Sequence, residues 1–147
     1  MLAMAGEGGS EDERRTLLAD ALSSGQAFER FLKMVELQGG DPSFLESPEQ
    51  LPSAATVETL PAETAGYVAA VDADKVGRAA FILGSGRMTR EDDIDFAVGV
   101  SDLRQAGEPV ENGEPLVSIH ANATELLEEV RALLASAFMI VDDPPEH

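Results

Sequence analysis

The chain has 147 residues and 44% of them are hydrophobic, enough for the core of an ordinary domain and too many for wholesale disorder. Acidic residues outnumber basic ones 28 to 10, for a formal net charge of −18. A field of that sign repels phosphate backbones and anionic lipid, so neither nucleic acid nor a membrane surface is an expected partner.

Cysteine is absent. That removes disulfides, thiol nucleophiles and cysteine-based metal sites, and it fits a reducing compartment. The stretch MLAMAGEGGSEDE has neither a basic n-region nor a long apolar run. No segment approaches the roughly 18 apolar residues of a membrane span, so a cytoplasmic location is expected. Aromatics make up 5% of the chain and Trp is missing, which leaves Leu, Val, Ile, Ala and Phe to build the core.

In chain order, Ser10 with Glu13 forms a capping-box pattern ahead of Leu17, Leu18, Ala21 and Leu22, which predicts a helix over 11–24 closed by Gly25. A second helix is expected over 26–38, with Phe28, Leu32, Val35 and Phe31 on one face and Gly39-Gly40 ending it. Residues 41–55 carry three prolines without a clear period and are expected to be a linker. Strands are predicted at 56–60 and 65–71, followed by a helix over 73–83 that Asp72 caps and that turns Val76, Ala79, Ala80 and Leu83 inward. The alternation of Ile94, Phe96, Val98 and Val100 predicts a strand over 94–100. Glycine turns at Gly107 and Gly113 bracket a short strand at Val110, and another strand covers 116–121. A helix over 124–137 shows a stripe of Leu126, Leu127, Val130, Leu133 and Leu134, and an edge strand closes the domain at 138–141 before the tail DDPPEH. No internal repeat is expected. Short strands alternating with helices describe an α+β fold.

Several elements stand in one order and spacing. They are Gly66-Tyr67-Val68 with Asp72, Gly84-Ser85-Gly86-Arg87, Ile94-Asp95 with Val98-Gly99, Gly107-Glu108-Pro109-Val110, Gly113, Pro115-Leu116 and Ile119-His120-Ala121. Together they closely resemble the C-terminal domain of the pyrimidine nucleoside phosphorylases, which include the thymidine phosphorylases. Gly25, Ala27, Phe31, Gln38, Gly39, Gly40 and Asp41 are similar to that family's linker helix, and Met1 to Gly9 looks like the end of a preceding helix of its large α/β domain.

The resemblance covers residues 1–141. It implies an α/β-hammerhead domain over 56–147, preceded by a helical segment and linker over 1–55. It further implies reversible phosphorolysis of a pyrimidine nucleoside to base and pentose 1-phosphate by a homodimer of two-domain subunits. The family's phosphate loop, the Arg, Ser and Lys that hold the base, and its potassium segment lie upstream of the matched region. No catalytic, cofactor-binding or metal-binding residue is therefore carried over and no cofactor is implied. Phosphate and nucleoside are expected as partners only through those upstream parts. This chain is expected to be a structural piece of the enzyme, either a fragment or a separately encoded part. Thymidine, uridine or AMP preference is set elsewhere. The alternatives are a stand-alone interaction module on the same fold, or the same domain from an AMP phosphorylase.

The residues that invite a chemical reading each have a plainer account. Gly84-Ser85-Gly86-Arg87 has the composition of an anion loop, yet it follows a helix and precedes none, so helix termination is expected. His120 and the terminal His147 are the histidines of the chain. His120 sits in an alternating strand, where a structural hydrogen bond or exposure explains it without general-base catalysis. Glu91, Asp92, Asp93 and Asp95 crowd carboxylates without the glycine turn of a calcium loop and read as a solvated loop leading into a strand. No nucleophile elbow or triad pattern occurs. The run from Gly107 to Leu116 also looks like the glycine turn of lipoyl and biotinyl carrier domains. Those domains need a lysine in the hairpin that follows, and no lysine occurs after Lys75, so carrier chemistry is excluded.

Overall fold

The computed structural model describes residues 1–87, 89 and 93–145, and the chain divides into two compact units, Met1–Leu51 and Pro52–His147.

The first unit is helical. Helix α1 (Glu11–Ser23) starts at the expected capping box: the Ser10 hydroxyl accepts the Glu13 N–H at 3.2 Å, and the Glu13 carboxylate accepts the Ser10 N–H at 2.7 Å. Helix α2 (Gln26–Leu37) follows immediately, with Gly25 between them, and Gly39 lies just beyond its end. The expected linker is not structureless. The Asp41 carboxylate caps the Ser43 N–H at 2.9 Å and starts a one-turn helix α3 (Ser43–Glu46), after which Pro48–Gln50 forms a 3-10 turn. None of these helices buries a residue. Leu32 and Val35 are half-covered, whereas Leu17, Leu18, Leu22, Phe31, Met34 and Leu37 are exposed.

The second unit is α+β, as expected. Its strands are β1 (Thr56–Pro61), β2 (Gly66–Val71), β3 (Gly99–Ser101), β4 (Pro109–Val110), β5 (Pro115–Ala121) and β6 (Phe138–Val141). They form two antiparallel sheets ordered β1-β5-β3 and β4-β2-β6, so β6 is the predicted edge strand. Helices α4 (Ala73–Ala80) and α5 (Leu127–Ala135) complete the unit. The Asp72 carboxylate caps α4 through the N–H groups of Asp74 and Lys75, and the Lys75 ammonium donates to the Ser136 carbonyl at the end of α5 at 2.7 Å.

One core joins both sheets and both helices. Its fully buried side chains are Val68, Val117, Ile119, Val130 and Leu134. The strand period explains β5: Val117, Ile119 and Ala121 are buried, while Ser118 and His120 point to the opposite face. On β1, Glu58 shares the core side with Leu60, and its carboxylate grips the Arg131 guanidinium of α5 in a bidentate pair.

Three features of the second unit also depart from the sequence reading. Helix α4 stops at Ala80 and passes into a π-turn at Phe81–Ser85, so Leu83 is buried from the turn and not from the helix. The strand expected over 94–100 forms only from Gly99. Asp95 bends the chain by accepting the Ala97 N–H at 2.9 Å, and Phe96, expected to face inward with Val98, is 83% exposed.

The third departure is a repeat. Gln105-Ala106-Gly107-Glu108-Pro109-Val110 and Glu111-Asn112-Gly113-Glu114-Pro115-Leu116 build the same turn twice. In each turn a glycine with positive φ (92° and 85°) donates its N–H at 2.8 Å to a carbonyl, that of Val68 in β2 or of Ala62 just beyond β1. The next glutamate folds its carboxylate back onto an N–H three residues earlier, Gln105 at 2.7 Å and Glu111 at 3.1 Å. The glycines are needed because a side chain resists that backbone region.

Candidate functional site

Antiparallel pairing of β3 with β5 sets Gly99 opposite His120 and Ser101 opposite Ser118, on the face of the sheet away from the core. There the His120 Nε2 lies 2.9 Å from Ser101 Oγ, and the Ser101 hydroxyl donates to Asp102 Oδ2 at 2.8 Å. Asp102 is the residue other than glycine with a positive φ (53°) among the described residues, a conformation that aspartate tolerates better than most. The hydroxyls of Ser101 and then Ser118 hold its carboxyl below the ordinary aspartate range, and the His120 imidazole adds a smaller push in the same direction.

The order of these groups decides their chemistry. A nucleophilic serine gives its proton to histidine, and a carboxylate orients the histidine from its far side. Here serine is the middle member, its hydroxyl lying between the Asp102 carboxylate and the His120 ring, so the order serine–histidine–carboxylate is not the one these groups take. The contacts tie β3 to β5 through side chains. Sequence spacing pointed to His120. It missed Ser101, Asp102 and Ser118 as its neighbours, although their shared strand face follows once β3 pairs with β5.

Within the carboxylate run, Asp95 is more engaged than a solvated loop residue. Glu91 and Asp92 lie outside the described residues, and Asp93 is exposed. Asp95 is fully engaged: its N–H donates to the Gly84 carbonyl at 3.0 Å, and its carboxylate accepts from the Ala97 N–H at 2.9 Å and from Asn122 Nδ2 at 2.7 Å. The Ala97 N–H and then Asn122 keep this carboxyl below the usual range. Asn122 Oδ1 in turn accepts the Ala55 N–H at 2.7 Å, so one amide clamps the start of β1 to the 84–97 segment. Among the described residues, no group of three or more His, Asp or Glu is placed to hold a metal ion.

The Gly84-Ser85-Gly86-Arg87 stretch ends a helix. The Ser85 hydroxyl donates back to the Ala80 carbonyl at 2.7 Å, and Gly86 lies so close to the Phe81 ring that a Cβ there would collide with it. Arg87 is exposed. In the first unit, Ala27, Phe31, Met34 and Leu37 line an open apolar groove on α2, with Arg30 and Lys33 at its rim. Among the described residues no helix is long and apolar enough to cross a membrane.

Residues 67–141 match the family described as the pyrimidine nucleoside phosphorylase C-terminal domain. The chain is also similar to the pyrimidine-nucleoside phosphorylase of Bacillus subtilis, with 42% identity over 132 residues that cover 90% of this chain and 30% of that protein. The pyrimidine-nucleoside phosphorylase of Staphylococcus aureus is 38% identical over 136 residues, covering 92% of this chain and 31% of that protein. The chain thus spans less than a third of the length of these relatives, and corresponds to their C-terminal part.

Proposed function

The chain belongs to the pyrimidine nucleoside phosphorylase C-terminal domain family, and from that premise we propose that it serves as the C-terminal part of such an enzyme. In this reading Pro52–His147 is a packing domain, and the helices of Met1–Leu51 join it to the larger remainder of the subunit. The complete enzyme exchanges phosphate for the base of a pyrimidine nucleoside, as a cytoplasmic homodimer, and the chemistry is done outside this chain.

The observation that carries the reading is the contrast in burial. Helices α1, α2 and α3 bury no residue while they present leucine, phenylalanine and methionine to solvent. A contiguous apolar surface of that kind marks a face that another surface covers. The chemistry points the same way. Phosphorolysis needs an anion cradle and a stabilised leaving base, whereas a net charge of −18 opposes phosphate and the Ser101–His120 pair is wired for structure.

The test is an assay of the purified 147-residue chain with thymidine or uridine and inorganic phosphate. No base release is expected from the chain alone, and release above background overturns the reading.

A further inference from the structure

Phe96 is the most exposed large apolar side chain among the described residues of Pro52–His147, at 83%, and its neighbours in the chain are tied by hydrogen bonds and burial. On one side the Asp95 N–H is fixed to the Gly84 carbonyl. The Asp95 carboxylate is held by the Ala97 N–H and Asn122, and Asn122 is itself anchored to Ala55. On the other side Val98 is buried in the core at 8% exposure. The Asx turn at Asp95 breaks the strand alternation and turns outward a phenylalanine that an extended chain would have turned inward. A loose loop would let the ring fold back onto the domain, whereas this clamp keeps it in solvent. An aromatic ring on a pre-organised mount loses little conformational freedom when it enters a pocket, and this is how interface anchors are built.

We propose that Phe96 is an anchor through which the turn at residues 95–98 docks on the larger remainder of a family phosphorylase, entering an apolar pocket rimmed by lysine or arginine. The inference rests on the functional reading given above, and it adds a specific contact from the second unit. Two observations select this occupant. The chain covers 30% of the length of the Bacillus subtilis relative, so most of such a protein lies outside it. Asp93 and Asp95 precede Phe96 in a chain of net charge −18. A second copy would bring like charge against like, whereas a basic rim complements it.

The experiment mixes the full 147-residue chain with the portion of the Bacillus subtilis pyrimidine-nucleoside phosphorylase that it does not cover, produced as a separate polypeptide, and measures affinity by titration calorimetry at several salt concentrations. Phe96→Ala is expected to weaken binding about tenfold or more with an unchanged thermal midpoint. Phe96→Leu restores most of the affinity, and Met139→Ala, an exposed apolar truncation on β6, leaves it as in the wild type. Wild-type affinity falls as salt rises, because the rim is charged. Wild-type affinity in Phe96→Ala overturns the anchor while leaving the functional reading intact. Salt-independent binding overturns the basic rim. Self-association of the chain that Phe96→Ala abolishes makes a second copy the occupant and overturns the proposal. A wild-type chain that does not bind removes both the functional reading and the anchor.

Discussion

The two units of this chain solve the same problem to different degrees. Pro52–His147 gathers side chains from both sheets and both helices into one core, with Val68, Ile119, Val130 and Leu134 sealed from water. Met1–Leu51 has a capping box on α1 and ample apolar residues, yet its helices bury none of them. At that length a chain rarely closes a core unaided. Local signals suffice to make a helix, whereas burial needs a second layer. The difference teaches that a capping box in α1 and an apolar face in α2 can form without a core of their own, which in the functional reading above another surface supplies.

That contrast can be broken first by core truncation. Leu134→Ala or Ile119→Ala should cost about 3–5 kcal/mol in denaturant unfolding, while Leu22→Ala, exposed on α1, should stay within about 0.5 kcal/mol. Equal losses would mean that the helical unit has a core after all. Next comes Gly66→Ala in β2. Its φ is 156°, and an added Cβ would meet the Val141 carbonyl oxygen and lie 2.9 Å from the Ile140 side chain. A loss of about 1–3 kcal/mol is expected from that crowding, read as a lowered midpoint of the sheet unit.

A smaller effect should follow Ser10→Ala, which removes one half of the capping box. About 1 kcal/mol of helix stability is at stake, seen as lost far-UV helical signal with the midpoint of the sheet unit unmoved. The smallest is an acid effect. Asp95 and Asp102 have carboxyls held low in the folded chain by hydrogen bonds. Their contribution is therefore complete above the unfolded value of about 3.9 and disappears as pH falls through the lower folded value. Asp102→Asn should flatten the stability profile below about pH 4, with little change near neutrality. An unaltered acid limb in that variant would show that the Ser101, Ser118 and His120 contacts do not hold the carboxyl.

Much of this fold was legible because its signals are local. The Ser10–Glu13 box, Asp72 as a cap and the Leu127-Val130-Leu134 stripe state their roles within a turn or two of chain. What escaped depends on side chains meeting the backbone in ways periodicity does not encode. Ile94, Phe96, Val98 and Val100 alternate as a strand would, but the Asp95 carboxylate captures the Ala97 N–H and the extended run begins three residues after Phe96, at Gly99. Asp41 likewise turned part of an expected linker into α3. At the candidate site His120 could be picked out as a chemical group. Its role depended on Ser101 and Asp102 across a strand pair, and their order shows only in three dimensions.

The doubled Gly-Glu-Pro turn has a consequence for strand register. The two copies are offset by six residues, an even number, so exchanging one copy for the other keeps Val110 or Leu116 turned inward but sets exposed Glu111 where Val117 is sealed in the core. Val110 and Leu116 hold equivalent places in the two copies, and both are buried, at 2% and 4%. The two turns are therefore alike in their local geometry. What separates them is remote from the turns: the seven-residue reach of β5 across β1 and β3, the Arg104 contacts with Glu114 and the Pro115 carbonyl, and the Asn112 amide on the Glu63 carbonyl. The place of each copy is thus set by contacts beyond the turns, which are themselves alike.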